Sequence, residues 1–282
     1  MLRRIDLHVH SNASDGTCKP AELVELALEK GLAAFALTDH DTTDGIAEAI
    51  SAARDTDLEV VPGIELSTEY NGKDVHVLGY DIDYENEAFL EKLKWFKNQR
   101  DVRNEEMLEK LYKHGFEKMT MDNLMRAYPD AVITRAHFAR YMLECGYIKN
   151  TKEAFDKYIG DECPFFVPRR KITPNDAIEF ILKYGGIPVL AHPLLYGMDK
   201  EALRTAILSF KEAGLVGIEA IYSLNSGADE RRMKKLAGEC GLRVTGGSDF
   251  HGTNKPGIYM GTGKGNLYVP YECLEALRHY ES

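Results

Sequence analysis

Short apolar runs, several closing on a histidine or an acid, alternate with helical patterns along most of this chain. The first 90 residues give RIDLHV, PAELVELALEKG, AAFALTD, TDGIAEAISAAR and LEVVPGIEL in turn. Strand then helix, repeated, restricts the chain to βα units around a largely parallel sheet, because parallel neighbours need a long crossover and a helix supplies it. Pro20 stands where a first helical turn accepts proline, and Gly31 where a helix stops. STEYNGKDVHVLGYDI differs: two alternating runs flank Asn71-Gly72, which predicts a hairpin. From about Glu85 to Lys171 the pattern is helical and polar, with helices expected near 86–114, 121–127, 134–146 and 151–159. The alternation resumes with IPVLAHP, a helix near 199–213, LVGIEAIY, a helix near 228–240, LRVTGGSD, and a last strand NLYVP before the helix YECLEALRHY. About seven parallel-type runs predict an α/β fold, a distorted (β/α)7 TIM-like barrel with a helical insertion. Residues 1–90 and 172–282 are expected to form the barrel and 91–171 an inserted lid.

Bulk properties narrow the function. A chain of 282 residues suits one large domain with an insertion. No apolar run approaches the roughly 20 residues of a membrane span, and MLRRIDLHVH is too short and too soon charged for a signal peptide, so a soluble cytoplasmic protein without a membrane partner is expected. Five scattered cysteines argue against a disulfide framework and a Cys-x-x-Cys zinc site. The net charge of −10 disfavours a long polyanionic partner, since phosphate-backbone affinity comes from Lys and Arg. That average hides a split, because residues 94–171 carry 16 Lys and Arg against 12 acids, and the rest 19 against 33.

In such a barrel, chemistry gathers at the carboxyl ends of the strands. His8 and His10 are two apart on a strand, so both project to one face. Asp39 and His40 follow AAFAL, Glu65 follows VVPGI, His76 lies in DVHVLGY, His192 closes IPVLA, and Asp249 and His251 follow RVTGG. Asp15 sits in the loop after the first strand. Singly, each has a structural reading: His76 as a half-exposed sheet residue, His192 as a core histidine, Glu65 as a helix cap. Jointly they would converge in one bowl. Nine nitrogen and oxygen ligands without thiolate exceed the four to six or so of one metal, which implies two or three divalent ions. Mixed imidazole and carboxylate ligation suits Mn, Zn or Fe better than Mg or Ca.

DLHVHSNASDG, ALTDHDT, GIELS, HVLGY, VLAHP and GGSDFHG together resemble, in order, the motifs of the polymerase and histidinol phosphatase (PHP) superfamily, over Ile5 to Gly252. The resemblance implies a metal-dependent phosphoesterase holding up to three metals. It assigns His8, His10, Glu65 and Asp249 to one ion, Glu65, His76 and His192 to a second, and Asp15, His40 and His251 to a third. Histidinol phosphatases carry a histidine at the position of Asp15, so the departure points instead to the subgroup with an inserted helical domain, whose members resemble nucleotide phosphatases, including those of nucleoside 3′,5′-bisphosphates. Within ITRAHFARYMLECGY and FFVPRRKITPNDAIEFI the resemblance makes Arg135, Arg169 and His137 the expected substrate contacts, with Arg170, Lys171 and Arg140 as further basic residues of the lid. A planar guanidinium suits phosphate because it pairs bidentately.

The expected reaction is attack of a metal-bridging hydroxide on phosphorus, with no protein nucleophile, since no Gly-x-Ser-x-Gly elbow occurs. Asp39 and Glu219 are expected to accept hydrogen bonds from ligand histidines. Two rivals remain: a metal-dependent amidohydrolase, and a nucleic-acid-processing module trimming short RNA from the 5′ end. A cyclic sugar phosphodiester is a further possible substrate. A small phosphorylated partner is expected, and no obligate protein partner.

Overall fold

The computed structural model describes residues 3–129, 131–167 and 172–280. Among them, strands β1 (Arg4–Val9), β2 (Ala34–Leu37), β3 (Glu59–Tyr70), β4 (Lys73–Tyr80), β5 (Ile187–Leu190), β6 (Gly217–Tyr222), β7 (Arg243–Gly247) and β8 (Val269–Pro270) form one sheet. Its order is β7-β6-β5-β4-β3-β2-β1-β8. β1, β2 and β3 run parallel, as do β5, β6 and β7, whereas β4 is antiparallel to both its neighbours. The ends of the sheet curl together. Asp249 N–H donates to the His8 carbonyl (2.8 Å) and His10 N–H to that of Phe250 (2.9 Å), so the barrel closes where β7 and β1 end.

The expected α/β barrel with helical segments is therefore present, with differences of detail. LEVVPGIEL and STEY belong to one twelve-residue strand, because β3 pairs with β2 over Glu59–Pro62 and with β4 over Gly63–Tyr70. The hairpin between them turns on Asn71 (φ 52°) and Gly72 (φ 77°), the double left-handed geometry that Asn-Gly accommodates. NLYVP contributes only Val269–Pro270, antiparallel to β1, so the sheet has eight strands and not seven parallel ones.

Helices α1 (Pro20–Glu29), α2 (Ile46–Ala53), α7 (Pro174–Lys183), α8 (Lys200–Glu212) and α9 (Gly227–Glu239) cover the sheet. Each buries one stripe, as in α8 with Leu203, Ala206, Ile207 and Phe210, which share an apolar cluster with Phe35, Leu37, Leu190 and Ile218 of the strands. A second cluster joins Leu7, Val61, Leu78, Tyr80 and Val189 to Leu274 and Leu277 of α10 (Glu272–Arg278). A third lies wholly between Met107 and Val167. It unites the second half of α3 (Glu87–Lys113) with α4 (Met121–Ala127), α5 (Arg135–Glu144) and α6 (Thr151–Ala154), the last continuing as a π-helical turn over Phe155–Ile159. No described helix is long and apolar enough to cross a membrane.

Closure depends on Gly247. A Cβ there would stand 2.3 Å from His8 Cβ and 2.5 Å from His8 N, so β7 reaches β1 only without a side chain. Gly247→Ala should cost about 1–3 kcal/mol of stability through overpacking and lower the thermal midpoint by roughly 2–4 °C for each kcal/mol. Calorimetry of the variant beside the parent checks this.

Candidate metal centre and substrate cavity

The backbone brings all nine expected ligands to the carboxyl end of the barrel. His8 and His10 leave β1 on one face. Glu65 and His76 share a face of the β3–β4 pair, since His76 opposes Ser67, two residues from Glu65. His40 extends β2 as an isolated parallel bridge to Glu65, with Asp41 N–H on the Glu65 carbonyl (3.0 Å). His192 (φ 21°) and Asp249 (φ 57°) follow β5 and β7 in sparsely populated backbone, which costs about 1–3 kcal/mol each and marks a site where geometry outranks comfort.

Three carboxylates organise the six imidazoles. Glu65 stands at the centre: its Oε1 lies 2.9 Å from His76 Nδ1 and 3.1 Å from His192 Nε2, and its Oε2 lies 3.4, 3.3 and 3.1 Å from His8 Nε2, His10 Nε2 and His40 Nδ1. Asp249 Oδ1 is 3.7 Å from His8 Nε2 and 3.6 Å from His10 Nε2. Asp15 Oδ1 is 3.2 Å from His251 Nε2, and its Oδ2 is 3.7 Å from His40 Nε2. Four overlapping groups able to hold an ion result: His10, Asp15, His40, His251; His8, His10, Asp249; His8, Glu65, His192; His40, Glu65, His76.

Burial is nearly complete, so the charges decide the protonation. Burial pushes His10 down to about 4, assisted by the neighbouring His251. His40 also lies well below the usual range, because burial outweighs Glu65 and Asp15. Burial alone would lower His8, yet Glu219, Glu65 and Asp249 raise it well above the usual value. Burial would raise Glu65, Asp15 and Asp249, but the surrounding imidazoles, and Lys255 for Asp249, hold all three well below the carboxylate range. His8 Nε2, both ring nitrogens of His10 and His40 Nδ1 are buried yet engaged in no hydrogen bond. Native proteins rarely leave such atoms unpaired, and lone pairs aimed at shared carboxylate oxygens are what divalent cations require. The nine residues therefore fit the metal group that their chemistry implies.

Around them, partners fix the ligands. Glu219 stands where a partner of a ligand histidine was expected, with Oε1 2.9 Å from His8 Nδ1, and its Oε2 accepts the backbone N–H of His192 at 2.7 Å. Asp39 does otherwise: instead of orienting a histidine it accepts Ser11 N–H (2.8 Å), Ser11 Oγ–H (2.6 Å) and Ser14 Oγ–H (2.5 Å), pinning the loop that carries Asp15. Adjacency to His40 in sequence misled, since neighbours on an extended segment point apart. Asp249 Oδ2 accepts Tyr222 O–H (2.7 Å) and pairs with Lys255, two residues without any local signal in the sequence.

A cavity of about 160 Å³ opens beside the bowl, walled by Asp15, His40 and His76 and by Arg103, Arg135 and Phe155. Arg135 thus reaches the cavity as expected, but its guanidinium is already paired with Asp74 Oδ2 (2.6 Å) and Asp161 Oδ1 (2.9 Å). His137 is not among the lining residues. It sits at the third position of α5, where its Nδ1 accepts Thr134 N–H (3.0 Å) and completes a capping box, so its expected role as a substrate contact gives way to helix capping. Arg140 pairs with Glu144 and donates to Asn254 Oδ1 (2.6 Å). Arg169, Arg170 and Lys171 lie outside the described residues. Arg103, buried on α3, was not visible as a site residue, because nothing near it in the sequence marks it. Glu219→Gln should keep the fold while weakening metal retention by about 10–100-fold, read by elemental analysis after competition with a chelator.

Comparison with known proteins agrees with this geometry. A 5′-3′ exoribonuclease from Haemophilus influenzae is 38% identical over 89% of this chain and 91% of its own length. A 3′,5′-nucleoside bisphosphate phosphatase from Chromobacterium violaceum is 34% identical over 92% of this chain and 91% of its own. Among solved structures, an amidohydrolase from Chromobacterium violaceum with bound sulfate and no metal matches with a TM-score of 0.82 and 35% identity, covering 92% of this chain and 90% of that one. The PHP domain family model matches residues 6–161, more than half of the sequence, and the chain belongs to that family.

Proposed function

We propose that this metal-dependent phosphoesterase hydrolyses small nucleotide-type phosphate esters at two to three divalent ions (Mn, Zn or Fe), a nucleoside 3′,5′-bisphosphate being the class that fits best. The observation that carries this reading is the shared wall of the cavity, where ion-binding residues Asp15, His40 and His76 face Arg103, Arg135 and Phe155 of the insertion. A phosphate placed at the ions has its organic part among those lid residues: guanidinium groups suit a second phosphate, and an aromatic ring suits a base. The sulfate in the structure of the similar Chromobacterium violaceum protein supports an oxyanion site in this architecture. Arg135 would trade Asp74 or Asp161 for phosphate, a like-for-like exchange of one oxyanion for another.

Bound at the nine residues, the ions would supply acidified water and positive charge for the phosphoryl oxygens. The protein's own groups set the geometry. Glu65 turns Oε2 toward His8 and Oε1 toward His76, and would help to hold more than one ion. Glu219 fixes the His8 ring, and Tyr222 with Lys255 holds the outer oxygen of Asp249, leaving the inner one directed at His8 and His10. The insertion, which we take as residues 91–171, covers the Asp15 side and restricts bulk water. A cytoplasmic setting is consistent with five unpaired cysteines.

A second reading, stepwise 5′–3′ removal of nucleotides from short oligonucleotides, is supported by the similar exoribonuclease and by the locally basic insertion. A turnover screen over p-nitrophenyl phosphate, nucleoside mono- and 3′,5′-bisphosphates, cyclic phosphates, an amide substrate and 5′-labelled short RNA separates them. The expected outcome is a kcat/KM for the bisphosphate at least about tenfold above the others, roughly 1.4 kcal/mol of transition-state preference. Faster degradation of the RNA, or turnover of the amide, would overturn it. Chelator treatment should abolish hydrolysis and Mn2+ restore it, whereas Glu65→Gln should stay inactive with added metal. Arg135→Met should raise KM for the bisphosphate by about tenfold or more while sparing p-nitrophenyl phosphate.

A further inference from the structure

The two oxygens of Asp15 live in different surroundings. Oδ1 faces His251 Nε2 (3.2 Å) and His10 Nδ1 (3.7 Å), where a cation would bind. Oδ2 lies 3.7 Å from His40 Nε2 and accepts the hydroxyl of Thr134 at 3.0 Å, a buried residue 119 positions away in the insertion. Thr134 is the N-cap of α5, and its oxygen also accepts Ala136 N–H at 3.2 Å. The Thr134 hydroxyl also lies 3.3 Å from His137 Nδ1, but that nitrogen accepts the Thr134 backbone N–H, and Asp15 Oδ2 is the nearer acceptor for the hydroxyl proton. Two further contacts of the insertion land on the same segment. Val132 N–H donates to the Ala13 carbonyl (3.3 Å), and Arg140 holds Asn254, whose amide donates to the Asp15 carbonyl (2.8 Å).

Asp249 shows the same division of labour, but its outer oxygen is held by Tyr222 of β6 and by Lys255, both outside the insertion. Glu65 has imidazoles at both oxygens. Of the three carboxylates, Asp15 is thus the one whose orientation is set by the lid.

We propose that Thr134 is a positioning residue for the cation at Asp15, His40 and His251, so that this ion and the docked lid stabilise each other while the ions at Glu65 bind without the lid's help. The proposal rests on the three-ion reading given above. A donor on the outer oxygen keeps the carboxylate from rotating and leaves Oδ1 aimed inward, and loss of such a partner weakens metal binding about 10–100-fold. Coupling of this kind is reciprocal: if the lid strengthens the ion, the ion strengthens the lid by the same factor.

The test uses the whole chain and Mn2+ alone, with bound metal counted after equilibration against graded Mn2+ and amide exchange followed in α5. Thr134→Gly removes the hydroxyl while glycine remains a tolerable N-cap, and Thr134→Ser keeps both functions. Thr120→Gly removes the cap of α4, elsewhere in the lid and away from Asp15. The parent should bind three ions. Thr134→Gly should bind two with unchanged affinity and the third about 10–100-fold more weakly, while Thr134→Ser and Thr120→Gly keep all three. Mn2+ should slow exchange in α5 of the parent and not in Thr134→Gly. An unchanged third ion in Thr134→Gly, failure of serine to rescue, or equal loss in Thr120→Gly would overturn the proposal. A parent that binds only two ions would instead overturn the three-ion reading, and this proposal with it.

Discussion

The centre depends on one carboxylate, Glu65, itself almost wholly buried and lying within 3.4 Å of five imidazole nitrogens. Ionised groups in such a place cost several kcal/mol each unless opposite charges face them. The protein meets that cost unevenly: burial pushes His10 down to about 4, whereas, against the lowering effect of burial, Glu219 raises His8 and Asp15 raises His251. Divalent ions would resolve the conflict, since they replace protons and give lone pairs a partner. They would also reverse the local sign, turning a site of three carboxylates into one that favours a phosphate group.

The insertion completes what the barrel starts. Its own apolar cluster, from Met107 to Val167, makes it a packed body and not a loose loop. Two of its contacts with the barrel fall on segments that carry residues able to hold an ion: Thr134 on Asp15, and Arg135 on Asp74, two positions from His76. The cavity exists only between these two parts.

How legible this was in the sequence varied with the kind of signal. Long helices with clear ends were readable: α3 was expected over 86–114 and spans Glu87–Lys113. Asn71-Gly72 gave its hairpin because two consecutive left-handed residues need such a pair. All nine expected ion-binding residues gather because each ends or follows an apolar strand, and a closed sheet brings such ends together. Directions of side chains were less readable. Asp39 turned to Ser11 and Ser14, and His137 to its own helix terminus, because hydrogen bonds made within a few ångströms decide orientation and sequence spacing does not. Lys255, Tyr222, Thr134 and Arg103 carried no signal, since their partners lie on other strands or in the other part of the molecule.

The sequence by itself determined the alternating elements, the hairpin and the set of groups able to bind ions, since periodicity and residue chemistry are local properties. Tertiary structure decided which oxygen of each carboxylate looks inward, which arginine stands in the cavity and how the lid grips the loop bearing Asp15. Those outcomes follow from closure of the sheet, where β7 meets β1 at Gly247, and from docking of a segment more than a hundred residues away, and neither is encoded in any short stretch of chain.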